Sequence, residues 1–283
     1  MDRATWGCRG LEVRYGATVA CQDVSFEVAP GTVAAVVGGD GAGKTSLLRA
    51  LAGTVRPAAG TVRRPPERRL GYVSAGPGVW ADLTVDENLS FAGRAYGLDQ
   101  AELGRRVGAL LERTGLAEAR GRLAGQLSGG MRQKLALAMA VAHEPDLLIL
   151  DEPTTGVDPV SRAELWRLLA AAAARGAAVV VATTYLDEAE RAATVLVLDR
   201  GRALLAGTPD EVLAATPGLV VAGRDRPPGV PSWRRGASWR GWSPDGSAPP
   251  GTSPATLDLE DAVIVAQLRQ DRGGPPGSRG RAA

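Results

Sequence analysis

Lys44 and Thr45 end the segment Gly38-Gly39-Asp40-Gly41-Ala42-Gly43-Lys44-Thr45, and Asp151 and Glu152 end the apolar segment Leu147-Leu148-Ile149-Leu150. The first segment fits the phosphate-binding pattern G-x-x-x-x-G-K-[ST]. Its glycines let the backbone curl so that N–H groups face the β and γ phosphates of a nucleotide. Lys44 adds a compact positive charge, the Thr45 hydroxyl can sit on Mg2+, and Ser46 continues the same turn. Asp151 falls at the C-terminal end of a strand, where open α/β sheets bind ligands, and there it can hold the metal directly or through water. Glu152 is next in sequence and is expected to face an attacking water as general base. Lysine occurs only at Lys44 and Lys134 in a chain rich in arginine, so a chance Gly-Lys-Thr is rare.

Such a loop works only between a strand and a helix. Residues 32–37 (Thr-Val-Ala-Ala-Val-Val) read as a buried strand feeding the loop, and residues 44–52 as the helix that leaves it. Residues 11–15 and 23–28 read as short strands. Residues 85–115 read as two helices broken near Gly97-Leu98-Asp99, and residues 129–142 as a third. Buried strands are expected at 146–150 and 178–182, with an Ala-rich helix at 161–174 between them. A closing pair of strands is expected at 195–198 and 203–206. Strands alternating with helices predict an α/β sheet with helices on both faces.

The bulk properties agree with one working domain and an appendage. The 283 residues are 45% hydrophobic, ample for a core, and a net charge of +2 argues against a nucleic-acid partner. Cys8 and Cys21 cannot form a disulfide framework, which predicts a reducing cytosol. Asp2 and Arg3 lead straight into polar sequence, which predicts no secretory leader. The longest uninterrupted apolar run, 135–142, is far short of the ~18 residues that span a bilayer. Residues 1–215 carry 24 basic and 25 acidic side chains, whereas residues 216–283 carry 9 and 6. Proline and glycine make up 21 of those last 68 residues, above the ~25–30% level that signals disorder. The expectation is a working domain at 1–215 and a loosely ordered Pro/Gly-rich tail at 216–283. Within that tail Trp233, Trp239 and Trp242 lie beside Arg234, Arg235 and Arg240, a set that could instead dock on a partner or on lipid headgroups.

Between the two acid- and lysine-bearing segments lies Leu127-Ser128-Gly129-Gly130-Met131, and after the second comes Pro153-Thr154-Thr155-Gly156-Val157-Asp158. With these the chain resembles the nucleotide-binding subunits of ABC (ATP-binding cassette) transporters over about residues 8–213; other P-loop families lack the middle motif. The resemblance implies a P-loop NTPase fold of the ABC type. It comprises a RecA-like α/β core, an antiparallel β subdomain and a helical subdomain at about 76–142. It implies ATP and Mg2+ as ligands, with Tyr15 stacking on the adenine and Gly38 to Ser46 holding the phosphates. Ser128, Gly129 and Gly130 match the residues that bind the γ-phosphate of ATP held by the opposite subunit, and Asp158 matches an aspartate of the dimer interface. The implied partners are a second nucleotide-binding subunit and a transmembrane permease, at the cytoplasmic face of the cell membrane. Met131-Arg132-Gln133-Lys134-Leu135, Leu83-Thr84-Val85-Asp86-Glu87-Asn88-Leu89 and Asp187-Glu188-Ala189-Glu190 resemble the drug-export branch. Leu259-Glu260-Asp261-Ala262 resembles a short terminal helix of those exporters.

Two positions depart from the family. After Gly71-Tyr72-Val73-Ser74 the family places a glutamine that reaches the metal and senses the membrane partner, and this chain has Ala75. After Val181-Ala182-Thr183 the family places a switch histidine, and this chain has Thr184. The only histidine, His143, follows the third helix at a position that tolerates many residue types. One pre-organised donor at a developing charge contributes ~2.7–4 kcal/mol. Binding is therefore expected to survive and turnover at this chain's own site to be slow. With its 127–131 motif intact, the chain could serve a partner's site better than its own, which favours a heterodimer over a slow homodimer. The alternative function is a weakly hydrolysing ATP-binding partner with a structural or regulatory role. A third reading is a soluble cassette ATPase of DNA repair or translation; repair types usually carry a coiled-coil or zinc insertion and translation types two cassettes, and the sequence reads as neither.

Overall fold

The computed structural model describes residues 5–76 and 78–273. β1 (Trp6–Tyr15) and β2 (Thr18–Val28) form an antiparallel hairpin in which Cys8, Leu11, Val13, Cys21, Val24, Phe26 and Val28 turn inward. Both strands run longer than the apolar pattern predicts, because their N-terminal halves carry polar residues on the exposed face. β3 (Val33–Val37) then enters the glycine loop and α1 (Lys44–Ala52) leaves it. β4 (Ala59–Arg63) returns to pair antiparallel with β1, completing a three-stranded sheet of order β2-β1-β4.

A short 3-10 turn precedes β5 (Leu70–Val73). Next come α2 (Val85–Ala95), α3 (Gln100–Thr114) and α4 (Gly129–Val141), a helical layer with its own apolar core of Val85, Leu89, Leu103, Leu111 and Leu135. Each helix start is capped: Thr84 and Glu87 form a reciprocal capping box, Asp99 accepts from Glu102, and Ser128 accepts from Met131. Asn88 is buried in this layer and ties the preceding loop to α2 through Trp80, Leu83 and Thr84. His143, just past α4, stacks on Tyr96 with ring centroids 3.6 Å apart and planes 5° apart.

β6 (Leu147–Asp151), α5 (Pro159–Ala174), β7 (Ala178–Thr183), a short α6 (Leu186–Ala189), β8 (Thr194–Asp199) and β9 (Arg202–Gly207) complete a six-stranded sheet of order β5-β6-β7-β3-β8-β9. The β5-β6, β6-β7, β3-β7 and β3-β8 pairs are parallel. A sheet buried on both faces needs apolar residues at every position, hence the unbroken Leu-Leu-Ile-Leu and Val-Val-Val runs. Ala34, Val36, Leu147, Ile149, Val180 and Leu196 pack toward α1 and the antiparallel sheet. Val33, Leu148, Leu150, Val179 and Val181 pack toward Leu165, Trp166 and Leu169 of α5 and Ala136, Leu137 and Ala140 of α4. The expected α/β core, antiparallel subdomain and helical subdomain are all present.

The chain divides into two compact units, residues 1–203 and 204–283, so the division falls inside β9. In the second unit α7 (Pro209–Ala214) is followed by β10 (Leu219–Gly223), β11 (Ser232–Arg235), β12 (Ser238–Ser243), β13 (Ser253–Pro254) and α8 (Leu259–Gly273). The strands form an antiparallel sheet of order β11-β12-β10-β13. Val220, Trp242 and Val265 make its core, and the Trp242 indole donates to the carbonyl of Pro217 at 2.8 Å. Where composition predicts a loosely ordered tail, residues 216–273 thus hold a sheet and a helix. Many of the glycines and prolines that raised the predicted disorder sit in its turns: Gly236, at φ +58°, closes the β11-β12 hairpin. Part of the expected tail, residues 274–283, lies outside the described residues.

Candidate nucleotide site

The glycine loop is built by contacts that exclude side chains. A Cβ at Gly38 would lie 2.5 Å from the Leu198 carbonyl oxygen, and Gly43 takes φ +104° as the residue before α1. Gly39, Asp40 and Gly41 form the exposed rim, Ala42 is buried, and Thr45 and Ser46 are half-buried in the first turn. No side chain caps α1, so the N–H groups of Lys44, Thr45 and Ser46 have no intrahelical acceptor and form an anion site with the positive end of the helix dipole. Lys44 is only 5% exposed. Its Nζ donates to the carbonyls of Gly38 at 2.8 Å and Gly39 at 3.2 Å, and lies 3.3 Å from Glu152 Oε1.

Asp151 ends β6, 1% exposed, and neither carboxyl oxygen has a hydrogen-bond partner among the described residues. Burial pushes its carboxyl above the usual range; the Thr45 hydroxyl opposes the shift, the charge of Glu152 adds to it, and Lys44 opposes it again. A buried carboxyl with unused lone pairs beside a threonine hydroxyl fits a hard divalent cation such as Mg2+. Among the described residues no group of three or more His, Cys, Asp or Glu side chains gathers into a metal cage. The fit therefore requires phosphate oxygens and water for the remaining coordination, the usual habit of Mg2+.

Glu152 holds φ at +51°, in the left-handed region that non-glycine residues rarely occupy. Its N–H donates to the Ala182 carbonyl at 2.9 Å, and the Thr155 hydroxyl donates to Glu152 Oε2 at 3.2 Å. Backbone strain of this kind is kept where the side chain must point in one direction. The fold thus brings Lys44, Thr45, Asp151 and Glu152 together.

The other predicted residues lie around this centre. Tyr15 ends β1 in an exposed position, and its hydroxyl is the main cause of an upward shift of the Arg49 guanidinium on α1. Ala75 and Thr184 are both exposed. Ser128 and Gly129 are exposed at the start of α4, and a Cβ on Gly130 would come within 3.0 Å of Ser161 Oγ. Asp158 caps α5, accepting from Val160 N at 3.1 Å and Ser161 N at 3.0 Å, and the Ser161 N–H holds its carboxyl below the usual range. Lys134 of α4 pairs with Glu164 of α5. Among the described residues no hydrogen bond or ion pair joins residues 128–130 to residues 38–46. Sequence spacing missed two groups near the centre. Arg49 acts electrostatically on Asp151 from within α1, and Glu188 and Arg162 form a buried network behind the loops.

The ABC transporter family model matches residues 21–155. The Nod factor export ATP-binding protein I of Paraburkholderia xenovorans is 38% identical over 218 residues, which cover 73% of this chain and 72% of that protein. The daunorubicin resistance ATP-binding protein DrrA3 of Streptomyces coeruleorubidus is 38% identical over 220 residues, covering 74% and 70%. A solved ATP-binding subunit of an ABC transporter superposes with a TM-score of 0.69 at 31% identity, over 75% of this chain and 92% of that one. The glycine loop, the paired acids that end β6 and these similarities have one common explanation: the chain belongs to the ATP-binding proteins of the ABC transporter family.

Proposed function

We propose that this chain is the ATP-binding and ATP-hydrolysing subunit of an exporter, driving separate transmembrane subunits from the cytoplasmic face of the membrane. The observation that carries the proposal is the convergence of Lys44, Asp151 and Glu152 at the C-terminal end of the parallel strands, against an uncapped helix start. Members of the family are ATPases that use ATP with Mg2+. Lys44 and the first-turn N–H groups hold the phosphates, Thr45 and Asp151 hold Mg2+, and Glu152 takes the proton from the attacking water. Bound Mg2+ would offset the charge that builds on the phosphates. The start of α4 serves the partner's nucleotide: Ser128 and Gly129 are exposed there, and among the described residues no hydrogen bond or ion pair turns them toward the glycine loop.

Among the described residues no helix is long and apolar enough to cross a membrane, so the membrane-spanning part is assigned to a partner. The docking surface for it is a groove of about 300 Å³ lined by Tyr72, Trp80, Phe91, Tyr96 and Met139. Trp80 and Phe91 are 45% and 49% exposed and meet edge to face at 4.3 Å. Large apolar side chains left together in water mark a site of association.

A second reading is carried by Thr184 and Ala75, which supply neither the charge nor the amide of the family: the chain binds ATP, turns it over slowly, and completes a partner's site. Steady-state phosphate release under saturating Mg-ATP separates the two, measured on the purified chain alone and with its copurifying membrane protein. Sustained turnover that Glu152→Gln removes supports the first reading; turnover that stays near background, both alone and with the membrane protein, while Mg-ATP still binds, supports the second.

A further inference from the structure

Glu188 is 1% exposed, yet the site described so far makes no use of it. Its Oε2 accepts from the hydroxyls of Thr154 at 3.0 Å and Thr183 at 2.8 Å. Its Oε1 accepts from Arg162 Nε at 3.1 Å and pairs with Arg162 Nη2 at 3.0 Å. Arg162 also pairs with Asp187 at 3.2 Å, and its guanidinium lies 4.2 Å over the Tyr185 ring. A buried carboxylate with a cation and two hydroxyls is fully satisfied, and removing one partner leaves the rest uncompensated.

The two threonines belong to different loops. Thr154 lies two residues after Glu152 in the loop that leaves β6, and Thr183 ends β7 immediately before Thr184. The Thr183 hydroxyl accepts from the Tyr185 N–H at 3.0 Å, so Thr184 is bracketed in a side-chain turn. Arg162 sits in the first turn of α5, whose cap is Asp158. One carboxylate therefore fastens the loop carrying Glu152, the loop carrying Thr184 and the helix start carrying Asp158.

We infer that Glu188 is a positioning residue of the hydrolytic site. It fixes the distance between Glu152 and Thr184 through Thr154 on one side and Thr183 on the other, without touching nucleotide. This rests on the reading of the site as a hydrolysing one. In-line attack needs the attacking water opposite the leaving oxygen, so the base that orients that water and any donor to the phosphoryl oxygens must keep fixed places around one phosphorus, and loops anchored independently would drift against each other. A shared anchor converts two loops into one rigid part.

The test uses isosteric substitutions on the full chain, because Glu188→Gln strands Arg162 and can cost folding. Thr154→Val and Thr183→Val are each expected to lower kcat about 10- to 100-fold, with KM and Mg-ATP affinity unchanged, since misplacement by about 1 Å costs up to that much. The double variant should be no slower than the slower single, because either break frees the same joint. Thr154→Ser restores the hydroxyl and should restore kcat. Peptide-resolved hydrogen exchange without nucleotide gives an independent arm: Thr154→Val should speed exchange at Tyr185, on the other loop. Losses that multiply in the double variant, or a kcat unmoved by Thr154→Val, overturn the inference. If the wild-type chain hydrolyses nothing, the hydrolytic reading fails by itself. The exchange arm then still decides, and unchanged exchange at Tyr185 overturns the anchor.

Discussion

The N–H of Glu152 donates to the carbonyl of Ala182 at 2.9 Å, so the residue after Asp151 is registered against the strand that delivers Thr184. Together with φ +51°, that bond leaves the Glu152 side chain little choice but to point toward Lys44. Glu152 as proposed base, Lys44 as proposed phosphate ligand and Thr184 thus share one backbone frame, and each can be tested separately.

Lys44→Ala removes a cation held by two loop carbonyls and Glu152. A hydrogen bond to a charged group contributes about 1.5–3 kcal/mol, so Mg-ATP affinity should fall about 10- to 100-fold or more. Calorimetric titration reads this directly, and an unchanged Kd would refute the assignment of the loop.

Glu152→Gln keeps size and removes the proposed base. Turnover at this site should fall by about 10²–10⁴-fold, the usual contribution of a general base, while ATP binding persists. Phosphate release and equilibrium binding on the same preparation check it, and loss of binding would mean that Glu152 holds the loop rather than the water.

Thr184→His should return the donor that this position lacks. Thr184 is exposed, so an imidazole meets no packed neighbour. The rate should rise by up to about 10²-fold if the donor contributes ~2.7 kcal/mol. A rate that stays level or drops would make Thr184 an adapted residue and end the account of a weakened site.

His143 should make the first unit acid-sensitive. Burial pushes its imidazole from 6.5 down to about 4, and the charges of Arg69 and Arg106 press the same way. As pH falls below 6.5 the unfolded chain binds the proton and the folded chain does not, so stability drops between about 6.5 and 4 and levels off below. His143→Phe keeps an aromatic ring against Tyr96 and should flatten that part of the melting-temperature profile. An equally steep profile in the variant would place the acid sensitivity elsewhere.

Trp242→Ala should unfold the second unit alone. Truncating a buried tryptophan costs about 3–5 kcal/mol, a large share of the stability of so small a core. Fast hydrogen exchange across β10 to β12 with unchanged Mg-ATP affinity is the expected pair of results; slow exchange there would mean the core does not depend on Trp242.

What could be read in the chain before its structure follows the range of the interactions involved. Gly38 to Thr45 act through backbone geometry within eight residues, and Leu147 to Glu152 through one strand, so spacing suffices for both. Glu188 reaches partners 34, 26 and 5 residues away, and although it lies in a family-like motif, its neighbours Asp187 and Glu190 give no sign which acid is buried. Arg49 is one arginine among many until α1 brings it beside Tyr15 and within electrostatic reach of Asp151. In the second unit the structure differs from the expectation because composition does not reveal order along the chain. Proline and glycine scattered at random deny a core, whereas Gly236 and its like, set between strands, permit Val220, Trp242 and Val265 to meet.

The scarcity of lysine has a practical consequence for chemical labelling. Lys44 and Lys134 carry the only ε-amines, Lys44 being buried at the glycine loop and Lys134 paired with Glu164. Apart from its terminus, the chain offers an amine-directed reagent no freely solvated target, and one of its two side-chain amines lies in the proposed nucleotide site. Acylation of Lys44, resolved by peptide mass, is thereby a readout of that site with almost no background from the rest of the molecule.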